Sequence, residues 1–214
     1  YQLPWPQKSI IKRDDLLLEF PKGSFYEDVD FVLTTSLDTS SDVMSKVYDL
    51  HNEMIPLGAP ATLQIAPRGD IPLARRNKIV LARCGKEGGQ TSLGGAIDKT
   101  GNPISLPIFS LGTYCLMVDD QPPRIEALDR TGRLGNKTRI RFKITDDFQT
   151  AGRARGLRFR AELGGRWALF EYDLKKDIIY HDLQGPLPKE GTKLRIVVVD
   201  DRDNESVWTA VLRR

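Results

Sequence analysis

Apolar and polar residues alternate along most of this chain in short runs, the pattern of half-buried β-strands rather than of amphipathic helices. In the first half, Asp15 to Phe20, Val29 to Thr34, Ala61 to Ile65, Lys78 to Cys84 and Gly112 to Val118 read as strands. Turn residues separate them: Pro21-Lys22-Gly23-Ser24, Pro67-Arg68-Gly69-Asp70, Gly85 to Gly89 and Thr100-Gly101-Asn102-Pro103. Thr39 to His51 is the one stretch that could be helical, and it is given one turn at most. The rhythm breaks at Asp119-Asp120-Gln121-Pro122-Pro123. Proline cannot donate to a ladder and holds the residue before it extended, so this segment predicts a stiff joint. Beyond it, Arg124 to Leu128, Thr138 to Thr145, Leu157 to Leu163, Trp167 to Tyr172, Asp177 to His181, Lys193 to Asp200 and Val207 to Leu212 form a second series of strands. The expected fold is all-β, with two consecutive β-sandwich domains at residues 1–119 and 120–214, the second immunoglobulin-like.

Alternation in the second half also assigns faces. Ile140, Phe142 and Ile144 point to a core, while Arg139, Arg141 and Lys143 point away. Leu157, Phe159, Ala161 and Leu163 repeat the pattern against Arg158 and Arg160. One outward cationic face is therefore expected. Charge follows the same division: residues 1–118 carry 12 basic and 13 acidic side chains, whereas positions 130–166 carry 11 basic and three acidic ones. Without stacking aromatics on the outward register, this is a solvated face with cross-strand pairs rather than a nucleic-acid groove. No apolar run approaches the roughly 20 residues that a membrane-spanning helix needs.

The candidate chemistry is sparse. Asp119, Asp120, Asp146, Asp147, Asp200, Asp201 and Asp203 fall at strand ends that an up-and-down tracing brings to one pole. Such oxygens can hold calcium, but no EF-hand spacing is present. Arg153, Arg155 and Arg202 in the same loops make acid–arginine pairing the expected arrangement. Cys84 and Cys115 are either two buried thiols or one bridge; a bridge would stabilise by roughly 3–4 kcal/mol in the loop-entropy model. Trp167 and Trp208 read as core, and Trp5, between Pro4 and Pro6, as exposed. No nucleophile elbow, phosphate loop or catalytic triad pattern is found, and no catalytic residue or cofactor is expected.

Four segments, in order, carry a more specific likeness: Phe20-Pro21-Lys22-Gly23-Ser24-Phe25-Tyr26-Glu27-Asp28, the junction Ser110 to Ile125, Arg141-Phe142-Lys143-Ile144-Thr145-Asp146-Asp147, and Gly165 to Asp173. Together they resemble the C-terminal, non-catalytic region of envelope proteins of Gram-negative anaerobes whose N-terminal part is a lysostaphin/LytM-type zinc peptidase. The likeness runs from about residue 16 to 212. It departs at the arginine-rich loop 148–156 and at the last hairpin, Asp200-Asp201-Arg202-Asp203-Asn204-Glu205. Peptidases of that type hold zinc through His-x-x-x-Asp and His-x-His elements. Here the histidines are His51 and His181, neither belongs to such an element, and two isolated imidazoles do not supply three ligands. The resemblance thus implies a non-catalytic, exported chain in the periplasm or at the cell surface. Its implied partners are peptidoglycan or another envelope glycan, and a peptidase domain of the same protein.

Overall fold

In the computed structural model, which describes residues 1–85, 89–130, 132–183 and 190–213, almost every element is a strand. The first are β1 Gln2–Leu3, β2 Ser9–Arg13, β3 Leu16–Phe20, β4 Val29–Asp30, β5 Leu33–Ser36, β6 Val47–Leu50 and β7 Pro56–Ile65. A 3₁₀ helix, Leu73–Lys78, precedes β8 Ile79–Cys84, β9 Gln90–Gly95, β10 Leu106–Ser110 and β11 Gly112–Val118. Then come β12 Arg124–Ala127, β13 Arg139–Thr145, β14 Gln149–Thr150, β15 Arg158–Leu163 and β16 Arg166–Ala168. β17 Glu171–Asp173, β18 Ile178–Asp182, β19 Thr192–Val199 and β20 Glu205–Leu212 complete the chain. The fold is all-β, as the alternation predicts. The turn predicted at Gly85 to Gly89 lies partly outside the described residues. The stretch allowed a helical turn instead forms β6, because Tyr48 and Leu50 alternate into the core.

The chain divides into two units: Tyr1–Asp120 with Phe148–Arg155, and Gln121–Asp147 with Gly156–Arg214. The sequence boundary at residue 119 therefore has a counterpart at 120/121, but eight residues from the second half of the chain belong to the first unit.

In the first unit, a four-stranded sheet (β10-β7-β3-β2) and a six-stranded sheet (β14-β9-β8-β11-β6-β5) enclose the main core. β8 and β11 are antiparallel neighbours, with Leu116 opposite Leu81 and Cys115 opposite Ala82. Ile79, Leu81, Tyr114, Leu116 and Val118 face the main core. Val80, Ala82, Cys115 and Met117 face the other way into a smaller core with Val43 and Phe148. Burial on both faces explains why Ile79 to Ala82 shows no alternation. The cover is partly nonlocal: Phe148 is buried there, and β14 pairs in parallel with β9, Gln149 to Thr91 and Thr150 to Ser92.

In the second unit, sheets β12-β13-β18-β17 and β16-β15-β19-β20 face one another. This order corresponds to strands ABED against C′CFG of an immunoglobulin-type sandwich. Ile140, Phe142, Ile144, Ile179, Leu194, Ile196 and Val198 are fully buried between the sheets. Trp208 packs edge-on against Phe142, with ring centroids 4.7 Å apart.

Candidate functional site

The acidic positions are divided between the two units. Asp119 and Asp120 belong to the first unit; Asp119 is buried and its N–H donates to the Lys78 carbonyl at 2.8 Å, while Asp120 is exposed. In the second unit, the β19–β20 turn is organised around Asp200. One of its oxygens accepts the Arg202 and Asn204 N–H groups, both at 2.8 Å, and the other accepts the Asn204 side-chain amide at 2.7 Å. This side-chain-capped turn lets Asp203 adopt a left-handed φ of 59°. Asp146 brings a carboxylate oxygen within 4.8 Å of Asp200. Burial, with a smaller contribution from the charges of Asp200 and Asp147, pushes the Asp146 carboxyl up to about 6. The Asp147 N–H donates to it at 2.9 Å and works in the opposite direction.

The remaining candidates meet guanidinium groups. Asp147 meets Arg124 at 3.2 Å, Asp201 meets Arg202 at 2.6 Å, and Asp203 meets Arg158 at 2.6 Å. Sequence reasoning expected arginines from the acidic loops themselves, but Arg124 and Arg158 come from strands. The ladder explains the difference: Arg158 sits opposite Val199, one residue from Asp200, and Arg124 opposite Thr145. Strand register rather than loop proximity chooses these partners.

The cationic face also needs correction. Arg139, Arg141 and Lys143 lie on β13, in one sheet, whereas Arg158 and Arg160 lie on β15, in the other. Since the apolar partners of both strands meet between the sheets, these side chains occupy opposite outer faces. Each set is interleaved with acids: Arg139 forms a two-pronged pair with Asp182 at 2.6 and 2.8 Å, and Arg160 reaches Glu162 at 3.1 Å. Arg139 also lies over the Tyr180 ring, 4.3 Å from its centroid.

Trp167 is another correction. It is 62% exposed, not core. Ala168 is the residue of β16 opposite the buried Ala161, which places Trp167 outward, opposite Glu162. A one-residue difference in register moves a side chain to the other face. Trp5 is exposed, and Trp208 is half-buried against the core.

Residues 1–119 match the family model of the Zu5-like domain. The chain belongs to the Zu5-like domain family. No curated protein matches the sequence. The family model spans more than half of the chain and covers strands β1 to β11 of the first unit. Within this Zu5-like half, Cys84 and Cys115 are free thiols with sulfurs 3.3 Å apart, on adjacent strands and in a diagonal relation. The shared hydrogen bond makes Cys84 the easier of the two to ionise, against the opposing effect of burial. For Cys115, the same bond and burial both push the thiol up. His51 of this half accepts the Val32 N–H through Nδ1 at 3.3 Å and lies beside Phe31. In the second unit, the His181 Nδ1 is 2.7 Å from the Leu169 carbonyl, and the ring stacks on Phe170. Each imidazole is thus used to hold backbone and pack an aromatic ring.

Proposed function

We propose that this chain is the non-catalytic accessory region of an exported cell-wall peptidase, a β-sandwich pair that spaces the enzyme and helps it engage the wall. The observation that carries the reading is the organisation of the chain: a Zu5-like unit and an immunoglobulin-like unit, with the polypeptide passing between them at 120/121, 147/148 and 155/156. Three covalent passages suit a spacer better than two beads on a single tether. The ordered segments that resemble LytM-type envelope proteins supply the enzyme class. On this reading the chain works in the periplasm or at the cell surface, and its ligand is peptidoglycan or another envelope glycan. The test is retention of the purified chain on peptidoglycan sacculi and on lipopolysaccharide, at low and high salt. Retention on sacculi supports the proposal. Failure on both surfaces, or chelator-sensitive cleavage of sacculi by this chain alone, overturns it.

A second reading, a self-standing adhesion or carbohydrate-binding module, is favoured by Trp167. Its exposed indole stands opposite Glu162, which in turn is opposite Arg195. An aromatic face flanked by hydrogen-bonding charges suits sugar stacking. Loss of glycan retention in Trp167→Ala, with an unchanged melting temperature, selects this reading.

A further inference from the structure

The second unit carries a polar concavity of about 430 Å³, lined by Asp129, Asn136, Lys137, Thr138, Arg139 and Arg141. Its volume is in the range of small-molecule sites, but its walls are charged rather than apolar. Asp129 is the organising residue. Its side chain is 2% exposed, and it receives Lys137 Nζ at 2.5 Å, Arg141 Nε at 3.1 Å and Arg141 Nη2 at 3.2 Å. These bonds, Arg141 first, hold its carboxyl below the usual range against the opposing effect of burial.

The backbone fixes the same geometry. Leu128 N–H donates to the Arg141 carbonyl at 3.0 Å, which sets Asp129 beside β13. The far end of the loop is pinned by Leu134, which is buried and donates to the Arg213 carbonyl at 2.7 Å. Leu183 N–H donates to the Thr138 carbonyl at 2.7 Å. The cations are therefore placed before any ligand arrives, so little ordering cost remains to be met on binding.

Charge balance then decides what fits. Lys137 and Arg141 share a single carboxylate, and both side chains are half exposed. Arg139 is matched by Asp182, but it lies close enough for its charge to act on Arg141. Lys137 and Arg141 thus bring two positive charges to the single negative charge of Asp129, while the charge of Glu171 also acts on Arg139. Arg141 spends Nε and one Nη2 hydrogen on Asp129, and Lys137 Nζ has three hydrogens, so both side chains keep further N–H donors. Asn136 and Thr138 add an amide and a hydroxyl suited to sugar hydroxyl groups.

We propose that this concavity binds an oxyanion, a carboxylate or phosphate carried on a sugar-sized polyol, with Lys137 and Arg141 as the anion-binding side chains and Asp129 as the positioning residue. The inference does not rest on the function proposed above. It stands even if the chain has no connection with a cell wall.

The full chain is titrated with inorganic phosphate, glucuronate and glucose, and backbone amide shifts are followed by NMR. Phosphate and glucuronate are expected to bind saturably, with shifts concentrated at residues 136–141 and weakened by salt, while glucose leaves the spectrum unchanged. Tighter binding of glucuronate identifies an acidic sugar as the source of the anion, and tighter binding of phosphate identifies a phosphorylated one. Lys137→Gln and Arg141→Gln should each weaken binding about tenfold, through loss of a charge-assisted hydrogen bond. Lys143→Gln, on the same strand but outside the lining, should not. Melting curves of each variant report folding; if Arg141→Gln does not fold, the half-exposed Lys137→Gln decides alone. Shifts scattered over all surface cations, the same response to glucose, or unchanged affinity in Lys137→Gln overturns the proposal.

Discussion

Replacing Asp146 with asparagine is expected to stabilise the protein at neutral pH and to change little near pH 4. In the native state, burial and the adjacent charges of Asp200 and Asp147 raise this carboxyl from 3.8 to about 6. A group with a higher pKa folded than unfolded binds its proton more tightly in the native state. Its contribution is therefore most favourable below the unfolded pKa and is lost as the pH rises through the folded one. A shift of this size corresponds to about 3 kcal/mol at full strength. Asp146 is only partly buried, and water screening reduces the expected effect to roughly 1–2 kcal/mol. Asparagine keeps the shape and can still accept the Asp147 N–H, so the difference between the proteins isolates the charge. Urea unfolding of both proteins at about pH 4 and about pH 7 measures it, the gap being predicted to open only at the higher pH. An equal gap at both pH values, or a less stable Asp146→Asn protein at neutral pH, would refute the reasoning. Calcium held by Asp146 and Asp200 would reverse the sign: added calcium would raise the neutral-pH melting temperature, and Asp146→Asn would abolish the rise.

Three further outcomes are expected. Trp167→Ala should alter stability by no more than about 0.5 kcal/mol, whereas Trp208→Ala, which removes the ring packed on Phe142, should cost roughly 2–4 kcal/mol in the same urea assay; similar costs for the two would mean that β16 is out of register. Phe148→Ala should destabilise the Zu5-like unit by about 3 kcal/mol, read as earlier unfolding and faster amide exchange in β8 and β11, and unchanged exchange there would show that residues 148–155 do not cover this face. Under oxidised glutathione, the Cys84 thiolate should attack and release one glutathione, and Cys115 should then displace the second, leaving a disulfide. Intact mass should show the loss of two hydrogens with no glutathione retained, and the bridge should add roughly 3–4 kcal/mol, reversed by dithiothreitol; a stable glutathione adduct, or no reaction in the folded state, would contradict the 3.3 Å pairing.

How far the fold could be read ahead of the structure depended on whether each strand's environment was local. β13 was legible because one face meets the core and the other meets water, so Ile140, Phe142 and Ile144 alternate with Arg139, Arg141 and Lys143. β8 was legible as a strand but not as a strand with two cores. A continuous run such as Ile79-Val80-Leu81-Ala82 says that both faces are buried without saying by what. The covering Phe148 leads into β14, a strand with no apolar alternation of its own. It is a polar pair, Gln149 and Thr150, joined to β9 through backbone groups, and backbone hydrogen bonding leaves no side-chain pattern to read. The neighbouring Arg153 and Arg155 make the segment look like solvated loop, so its pairing with β9 could not be inferred from composition.

The candidate sites follow the same physical division. That acidic residues cluster at strand ends is visible along the chain, because turns favour Asp and Asn. Which arginine each one meets is not, since an ion pair needs side-chain heads within about 4 Å, and a one-residue shift of register exchanges the partners. Trp167 follows the same rule: it alternates with Leu169, but the register places Ala168 and Phe170 inward and leaves both Trp167 and Leu169 outside. Asp129 is the clearest case. In sequence it is a turn aspartate followed by Arg130, an ordinary solvated pair. In the fold, the Leu128–Arg141 backbone bond carries it to β13, and Lys137 closes over it from the far end of the loop. The loop's net positive charge could be counted in advance, but its convergence on one buried carboxylate arises only when the strands pair. A binding concavity of this kind is therefore a property of the ladder as much as of the residues that line it.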